Sequence, residues 1–294
     1  MAVGRVVLVG GVLVLLFIPY LLWGTGLMTA RAQAHLREEF SAAQHQAGAI
    51  ANKHPTAPKK VTAAAPEVAP VIADPAVGNP VGVIAIPKIG LSMVVVEGTG
   101  EAQLQAGPGH YPGTPLPGEA GNAAIAGHRT TYLHPFYSLD ALVPGDPITV
   151  TTLQGIFLYR VISSQAVEPT DVAVVGPTST PQLTLTTCNP RYSAAQRLVV
   201  HAALVASVVV RPKAAPVPVH HERYPVAPAT PNKNWAAAIL WGLAVAAVIA
   251  AVWLEARRTQ RGKRSLVIGI GVPAWLVVVF FFFQAAAPLL PASF

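Results

Sequence analysis

Two kinds of hydrophobic pattern divide the chain. In three places the apolar residues run on with almost no polar interruption: VVLVGGVLVLLFIPYLLWGTGL from Val6 to Leu27, WAAAILWGLAVAAVIAAVWL from Trp235 to Leu254, and LVIGIGVPAWLVVVFFFF from Leu266 to Phe283. A helix crossing a hydrocarbon core about 30 Å thick takes roughly 20 residues, so each run predicts a transmembrane helix. Trp235 and Trp253 stand near the ends of the second, where aromatic rings favour the interface. Between the first and second runs the pattern changes to short apolar stretches broken by Gly and Pro: VGVIAIPKIG, LSMVVVEG, NAAIAGH, DPITVTTL, GIFLYRVISSQAV, QLTLTTC and RLVVHAALVASVVV. Many short strands at this spacing, with no long helical period, predict a closed all-β barrel over residues 81–210. That is about 130 residues, enough for one core. Helix inside it is expected only as a turn or two, with FYSLDAL the best candidate.

The charges orient these pieces. Arg5 precedes the first apolar run, but no small-residue cleavage site closes that run, which therefore reads as an uncleaved anchor over residues 1–30. The segment EARRTQRGKRS joins the second and third runs and holds Arg257, Arg258, Arg261, Lys263 and Arg264. Short loops so rich in basic residues stay on the cytoplasmic side. The expected arrangement is thus a multi-pass protein of the cell membrane: spans at 235–254 and 266–288, a cytoplasmic N-terminus and 255–265 loop, a short tail at 289–294, and the barrel outside. Its margins are linkers. Residues 31–80 begin as a polar juxtamembrane helix and pass into a stretch with Pro55, Pro58, Pro66, Pro70, Pro75 and Pro80 among alanines. Extended polyproline at about 3.1 Å per residue would let that stretch reach roughly 80 Å. Residues 211–234 repeat the character with Pro212, Pro216, Pro218, Pro225 and Pro228.

Composition agrees with a membrane protein. Of 294 residues 52% are hydrophobic and only 11% charged, too apolar for an ordinary soluble domain of this size. The net charge of +7 does not argue for nucleic acid, because the basic residues cluster beside apolar runs and form no face interleaved with aromatics. No metal or other cofactor is expected. With 13 acidic residues in the chain, the loop EPTDVAVVGPTSTPQ offers Glu168 and Asp171 but no cluster with the six to eight oxygens calcium wants.

One stretch carries chemistry: TLTTCNPRYSAAQRLVVHA, Thr184 to Ala202, which holds the single cysteine, Cys188. A lone cysteine forms no internal disulfide, so it is a small buried hydrophobe, a free thiol or a nucleophile. An ordinary cysteine has a pKa near 8.5 and is about 3% thiolate at neutral pH, so a nucleophilic one needs a base and a cation nearby. His128, in AIAGHRTTY, ends one strand-like run and fits the base. Arg197 opens the run after Cys188; if those two strands are neighbours, the pair sits at one end of the barrel, across the NPRYSAAQ loop. Arg191, inside that loop, is the rival cation. Arg129 is a candidate for substrate contact or for the surface, and His201, between apolar neighbours, reads as part of the barrel wall. Thr130 and Tyr132, in HRTTY, and Thr187, beside the cysteine, are candidates for lining a substrate groove.

TLTTC followed by Arg197, with GHR upstream, resembles the sortases, membrane-anchored cysteine transpeptidases of Gram-positive surfaces. GPGHYPGTPLPGEAGNAAIAGHRTTYLHPFYSLDALVPGD, from Gly107 to Asp146, looks most like class E sortases of actinobacteria. The resemblance implies an eight-stranded barrel, with His128, Cys188 and Arg197 matching the catalytic histidine, cysteine and arginine. It further implies cleavage of a C-terminal sorting signal between Thr and Gly through a thioacyl enzyme. The signal would be of the LAxTG kind by preference over LPxTG. The partners would be secreted proteins bearing that signal, an amine acceptor (peptidoglycan precursor or pilin lysine), and the lipid bilayer. Pilus-building relatives carry an Asp-Pro-aromatic lid; here Asp74 and Pro75 are followed by Ala76, so an unlidded site is expected. Two other classes stay open: a cysteine peptidase that hydrolyses the same signal, and a membrane-anchored peptide-binding scaffold without catalysis.

Overall fold

Eight strands close into a barrel: β1 (Pro80–Ile86), β2 (Leu91–Glu97), β3 (Gly109–His110), β4 (Asn122–Ala126), β5 (Pro147–Thr152), β6 (Gly155–Val167), β7 (Gln182–Asn189) and β8 (Gln196–Val209). Around the barrel their order is β1-β2-β3-β4-β7-β8-β6-β5. The computed structural model describes residues 11–13, 15–17, 19–20, 24–52, 66–209, 235–258 and 264–286. They form two units, a barrel unit within Thr25–Ala229 and a helical unit drawn from Met1–Gly24 and Thr230–Ala292.

The strands form where the sequence alternates. Along β5 and the first half of β6, Ile148, Val150, Phe157, Tyr159 and Val161 turn inward while their neighbours face out, the period-two pattern of a half-buried strand. β4 differs, since all five residues of NAAIA are buried. It lies between β3 and β7 and pairs in parallel with β7, and such a strand, covered on both faces, needs small and apolar side chains throughout. Seven of the strands coincide with the seven runs read from the sequence. The eighth, β3, is two residues long and sits in GPGHYPG, where Gly and Pro hide any alternation. It nevertheless completes the closure, parallel to β2 and antiparallel to β4. FYSLDAL contains a single 3-10 turn, Leu139–Ala141.

A helix outside the barrel, α1 (Thr25–Asn52), packs on β2 and on a second helix, α2 (Glu101–Ala106). Thr25, Thr29, Gln33, Leu36 and Phe40 are all buried, spaced three or four residues apart so that they share one face. Leu36 packs with Val94 and Val96 of β2. Gln33 does more: its side-chain amide donates to Val94 O (2.9 Å) and Ala106 O (3.0 Å), and its Oε1 accepts from Val94 N (2.8 Å). β3 is too short to pair with Val94, and the Gln33 amide stands in for the missing strand. Arg37 adds a bond to Ser92 O.

Part of the expected tether is not a tether. Ala69 is buried in the barrel core, its amide donates to Gly118 O (2.8 Å), and Ile72 N donates to Glu119 Oε1 (3.0 Å). Gly78 N likewise donates to Glu97 O (2.8 Å). Backbone groups lying against a protein surface find partners there, so the proline-rich segment from Pro66 onward follows the barrel wall. The remainder of that linker, at 53–65, lies outside the described residues, as does the linker at 211–234.

In the helical unit, α3 (Trp235–Arg258) and α4 (Arg264–Ala286) pack together, with Trp241 stacked on Phe281 at 5.0 Å. Among the described residues one helix is long and apolar enough to cross a membrane, over Trp235–Val252 with a mean hydropathy of 2.3. In α4 the described apolar stretch is Gly271–Ala286. Most of the first expected span and its flank, 1–10, 14, 18 and 21–23, lie outside the described residues, as do 259–263 of the basic loop and the 287–294 tail. Of the three expected spans, one is a clear candidate among the described residues.

Candidate active site

Strand register brings the chemistry together. β7 and β8 pair antiparallel without a break from Gln182↔Ala203 to Asn189↔Gln196, and within that ladder Cys188 is opposite Arg197. Residues directly opposite in such a pair share a face, with Cβ atoms about 4.5–5.5 Å apart. On the other side β4 runs parallel to β7, ending with Ala126 beside Thr186. Two residues further along this register, His128 comes level with Cys188. The ties between the two segments fall on either side of it: Gly127 N donates to Thr186 O (3.1 Å), Thr187 Oγ1 to Gly127 O (2.8 Å), and Arg129 Nη1 to Cys188 O (3.0 Å). His128, Cys188 and Arg197 thus stand at one end of three adjacent strands.

Each has a distinct environment. His128 has its Nε2 buried without a hydrogen-bond partner, and burial pushes its pKa down to about 4. At neutral pH the ring is therefore an uncharged imidazole able to accept a proton. Cys188 is half-buried and free. Arg197 donates to the backbone carbonyls of Ala194 (3.3 Å) and Gln196 (3.2 Å), and among the described residues it has no carboxylate partner. Arg191, the rival cation, is committed elsewhere. It pairs with Asp140 (3.0 and 3.1 Å), donates to Tyr137 O (3.3 Å), and lies over the Tyr137 ring at 4.4 Å.

Arg129 is where the sequence reading missed most. It is only 3% exposed, although a charged side chain is by default solvated. Its guanidinium holds the carbonyl of Cys188 itself, Asn189 Oδ1 (2.7 Å) and Asp140 Oδ2 (3.0 Å). It therefore binds the histidine segment to the end of the cysteine strand and to the 3-10 turn. Its position directly after His128 was the only available signal, and its partners lie eleven and sixty residues on. Because a charge-assisted hydrogen bond contributes about 1.5–3 kcal/mol, Arg129→Met is expected to cost about 2–4 kcal/mol, measurable by denaturant unfolding of the purified protein. Arg129→Lys should recover only part of this, since an ammonium lacks the guanidinium fork. An unchanged unfolding midpoint in Arg129→Met would show that the clamp carries no load.

The groove candidates divide. Tyr132 lies against the histidine, ring centroids 4.9 Å apart at 36°, and its phenol is pushed up to about 12, by burial first and then by the Glu101 carboxylate. Thr130 and Thr187 are buried, and the Thr187 hydroxyl is already occupied with Gly127 O; neither faces open solvent. The other histidines belong elsewhere. His110 is wholly buried, with Nδ1 donating to Glu97 Oε2 (2.8 Å). His201, half-buried on β8, has Nδ1 2.9 Å from Thr184 Oγ1. Gly78 and Asn79 are hydrogen-bonded to the Glu97 backbone, and Val77 is exposed.

The comparisons now define the class. Residues 84–205 match the family model described as the Sortase domain, a family of cysteine acyl-transfer enzymes. More particularly, the chain is similar to sortase SrtE1 of Streptomyces coelicolor, 29% identical over 225 residues that cover 69% of this chain and 56% of that protein. It is also similar to sortase D of Bacillus subtilis, 32% identical over 117 residues, 40% of this chain and 58% of that one. The chain thus spans little more than half the length of these curated relatives. Among solved structures, sortase E from Streptomyces avermitilis is 36% identical, with 48% of this chain and 97% of that chain covered at a TM-score of 0.43.

Proposed function

We propose that this chain is a membrane-anchored transpeptidase that cleaves a C-terminal sorting signal between Thr and Gly and joins the released threonine carbonyl to an amine. The observation that carries this reading is the strand register that sets Cys188 opposite Arg197 and level with His128. In the reaction the neutral imidazole of His128 takes the proton from the Cys188 thiol. The thiolate then attacks the threonine carbonyl carbon. The oxygen of that carbonyl gains a negative charge, which the Arg197 guanidinium stabilises. As the C–N bond breaks, the imidazolium returns its proton to the leaving glycine amine, and a thioester remains on Cys188. An incoming amine next loses a proton to His128 and attacks the thioester carbon. Collapse expels the Cys188 sulfur and forms the new amide.

Likeness to a class E sortase supports an LAxTG-type signal in preference to LPxTG. The expected partners are secreted proteins with that signal and an amine acceptor, a peptidoglycan precursor or a pilin lysine. Tyr132 would form part of the groove wall beside His128. The three apolar runs support a multi-pass topology, with the 255–265 loop cytoplasmic and the barrel outside. Incubating the detergent-solubilised chain with LAxTG and LPxTG peptides, with and without an added amine such as triglycine, tests the reading. The expected product is a peptide ligated after threonine, formed faster from LAxTG. Cleavage that yields only free acid at every amine concentration would identify a peptidase instead.

A further inference from the structure

The helix α1, expected from the sequence as a polar juxtamembrane helix, reaches the histidine loop with its first turn. Tyr132 N donates to the Thr25 hydroxyl (3.2 Å), and Thr25 is 1% exposed. At the next residue, Gly26, an added Cβ would lie 3.2 Å from Leu133 Cδ2, so helix and loop are in close contact there. The loop is unusual in its backbone. Tyr132, Leu133 and His134 have φ of 53°, 60° and 38°, three consecutive non-glycine residues in the left-handed region. A side chain with a Cβ is strained there, and the conformation persists only where its surroundings over-determine it. Within the loop, His134 N donates to Thr131 O (2.8 Å) and Phe136 N to His128 O (3.1 Å), while Phe136 is anchored in the barrel core. Thr25 supplies the tie to Tyr132, the residue whose ring lies against His128.

The rest of the buried face of α1 makes this tie rigid. Thr29 donates to Gln105 O (2.7 Å), and Gln33 is fixed to Val94 and Ala106 at three points. A helix meant only to space the barrel from the membrane would need none of these buried polar bonds. We infer that the first turn of α1, through Thr25 and Gly26, is a strut that positions His128 by holding Tyr132 against its ring. This rests on the proposed role of His128, and it makes α1, which continues directly from the apolar run Val6–Leu27, a working part of the site. Thr25 and Gly26 act through Tyr132 and are positioning residues.

The test uses the full chain in detergent, comparing Thr25→Val, Thr25→Ser and Gly26→Val with the parent. Thr25→Val keeps the shape and removes the acceptor oxygen, Thr25→Ser keeps the oxygen, and Gly26→Val pushes on Leu133 by a different route. The expected result for Thr25→Val and Gly26→Val is a kcat for signal-peptide ligation lowered by about 3–10-fold with KM within about twofold, the split expected when geometry at the reacting groups is lost. Thr25→Ser should restore kcat. A second readout does not depend on turnover: amide hydrogen exchange at Tyr132, which should accelerate at least about tenfold in Thr25→Val and return in Thr25→Ser. If the chain proves inactive on every signal peptide but Tyr132 exchange still follows the Thr25 hydroxyl, the strut stands and the transpeptidase reading falls. Parental kcat together with parental Tyr132 protection in Thr25→Val and Gly26→Val, with all variants folded by their melting temperatures, overturns the strut.

Discussion

Cys188→Ala is expected to abolish both cleavage and ligation of a sorting-signal peptide, a fall of at least about 10⁴-fold to the limit of detection. Melting temperature should change by no more than a few degrees. The thiol is half-buried and unpaired, so its loss leaves neither a large cavity nor an orphaned partner. The β7–β8 ladder that contains it is held by backbone bonds on both sides. The size of the effect follows from its chemistry. Without sulfur there is no thioester, and the neutral imidazole of His128 has nothing to deprotonate except water. Cleavage retained within about tenfold in Cys188→Ala would remove the covalent mechanism and assign the cleavage to another group. Loss of activity together with loss of the folded barrel would be uninformative about the nucleophile, which is why Cys188→Ser belongs beside it. Serine keeps the shape but, with a far less acidic hydroxyl, should be equally inactive.

Arg197→Ala is expected to lower kcat by about 10²–10³-fold, the usual cost of deleting one stabilising group for a developing oxyanion, while Arg191→Ala lowers it by less than about fivefold. The contrast is a consequence of partners. Arg191 spends its guanidinium on Asp140 and on the face of Tyr137, whereas Arg197 donates to the backbone carbonyls of Ala194 and Gln196 and, among the described residues, has no carboxylate partner. A cation without a carboxylate partner keeps its donors for a charge that appears during the reaction. Steady-state rates of peptide ligation by the two variants decide between them. Full activity in Arg197→Ala with inactivity in Arg191→Ala would reassign the oxyanion role to the loop.

How far these features could be read from the chain depended on whether the deciding interaction was local. Seven strands were legible because each carries its own run of β-branched and apolar residues, and Cys188 with Arg197 were legible as a pair because consecutive strands pair most often. β3 was not, since two residues between glycines and prolines leave no period to detect. Setting His128 beside Cys188 required knowing that β4 pairs in parallel with β7, three strands later in sequence, and only the sortase resemblance stood in for that knowledge. The burial of Arg129 was illegible for the same reason, its partners Asp140 and Asn189 being distant along the chain. The helix of α1 was legible but its buried face was not, because that face begins with Thr25, Thr29 and Gln33. A hydrophobic pattern sees no face there, although the hydroxyls and the amide are satisfied one by one on the barrel. The proline-rich segment from Pro66 misled in the opposite way, as a composition suited to a free tether proved able to lie along a wall that offers partners for its amides.

The most direct test of the central claim is intact-mass measurement of the full chain, solubilised in detergent and quenched in acid after brief mixing with an LAxTG peptide in the absence of added amine. The account predicts a mass increase equal to the peptide through its threonine, mapped to Cys188, absent from Cys188→Ala, and lost when an amine is added as the ligated peptide appears. A folded chain that never gains this mass from LAxTG or LPxTG peptides, or an adduct that persists in Cys188→Ala, would contradict it.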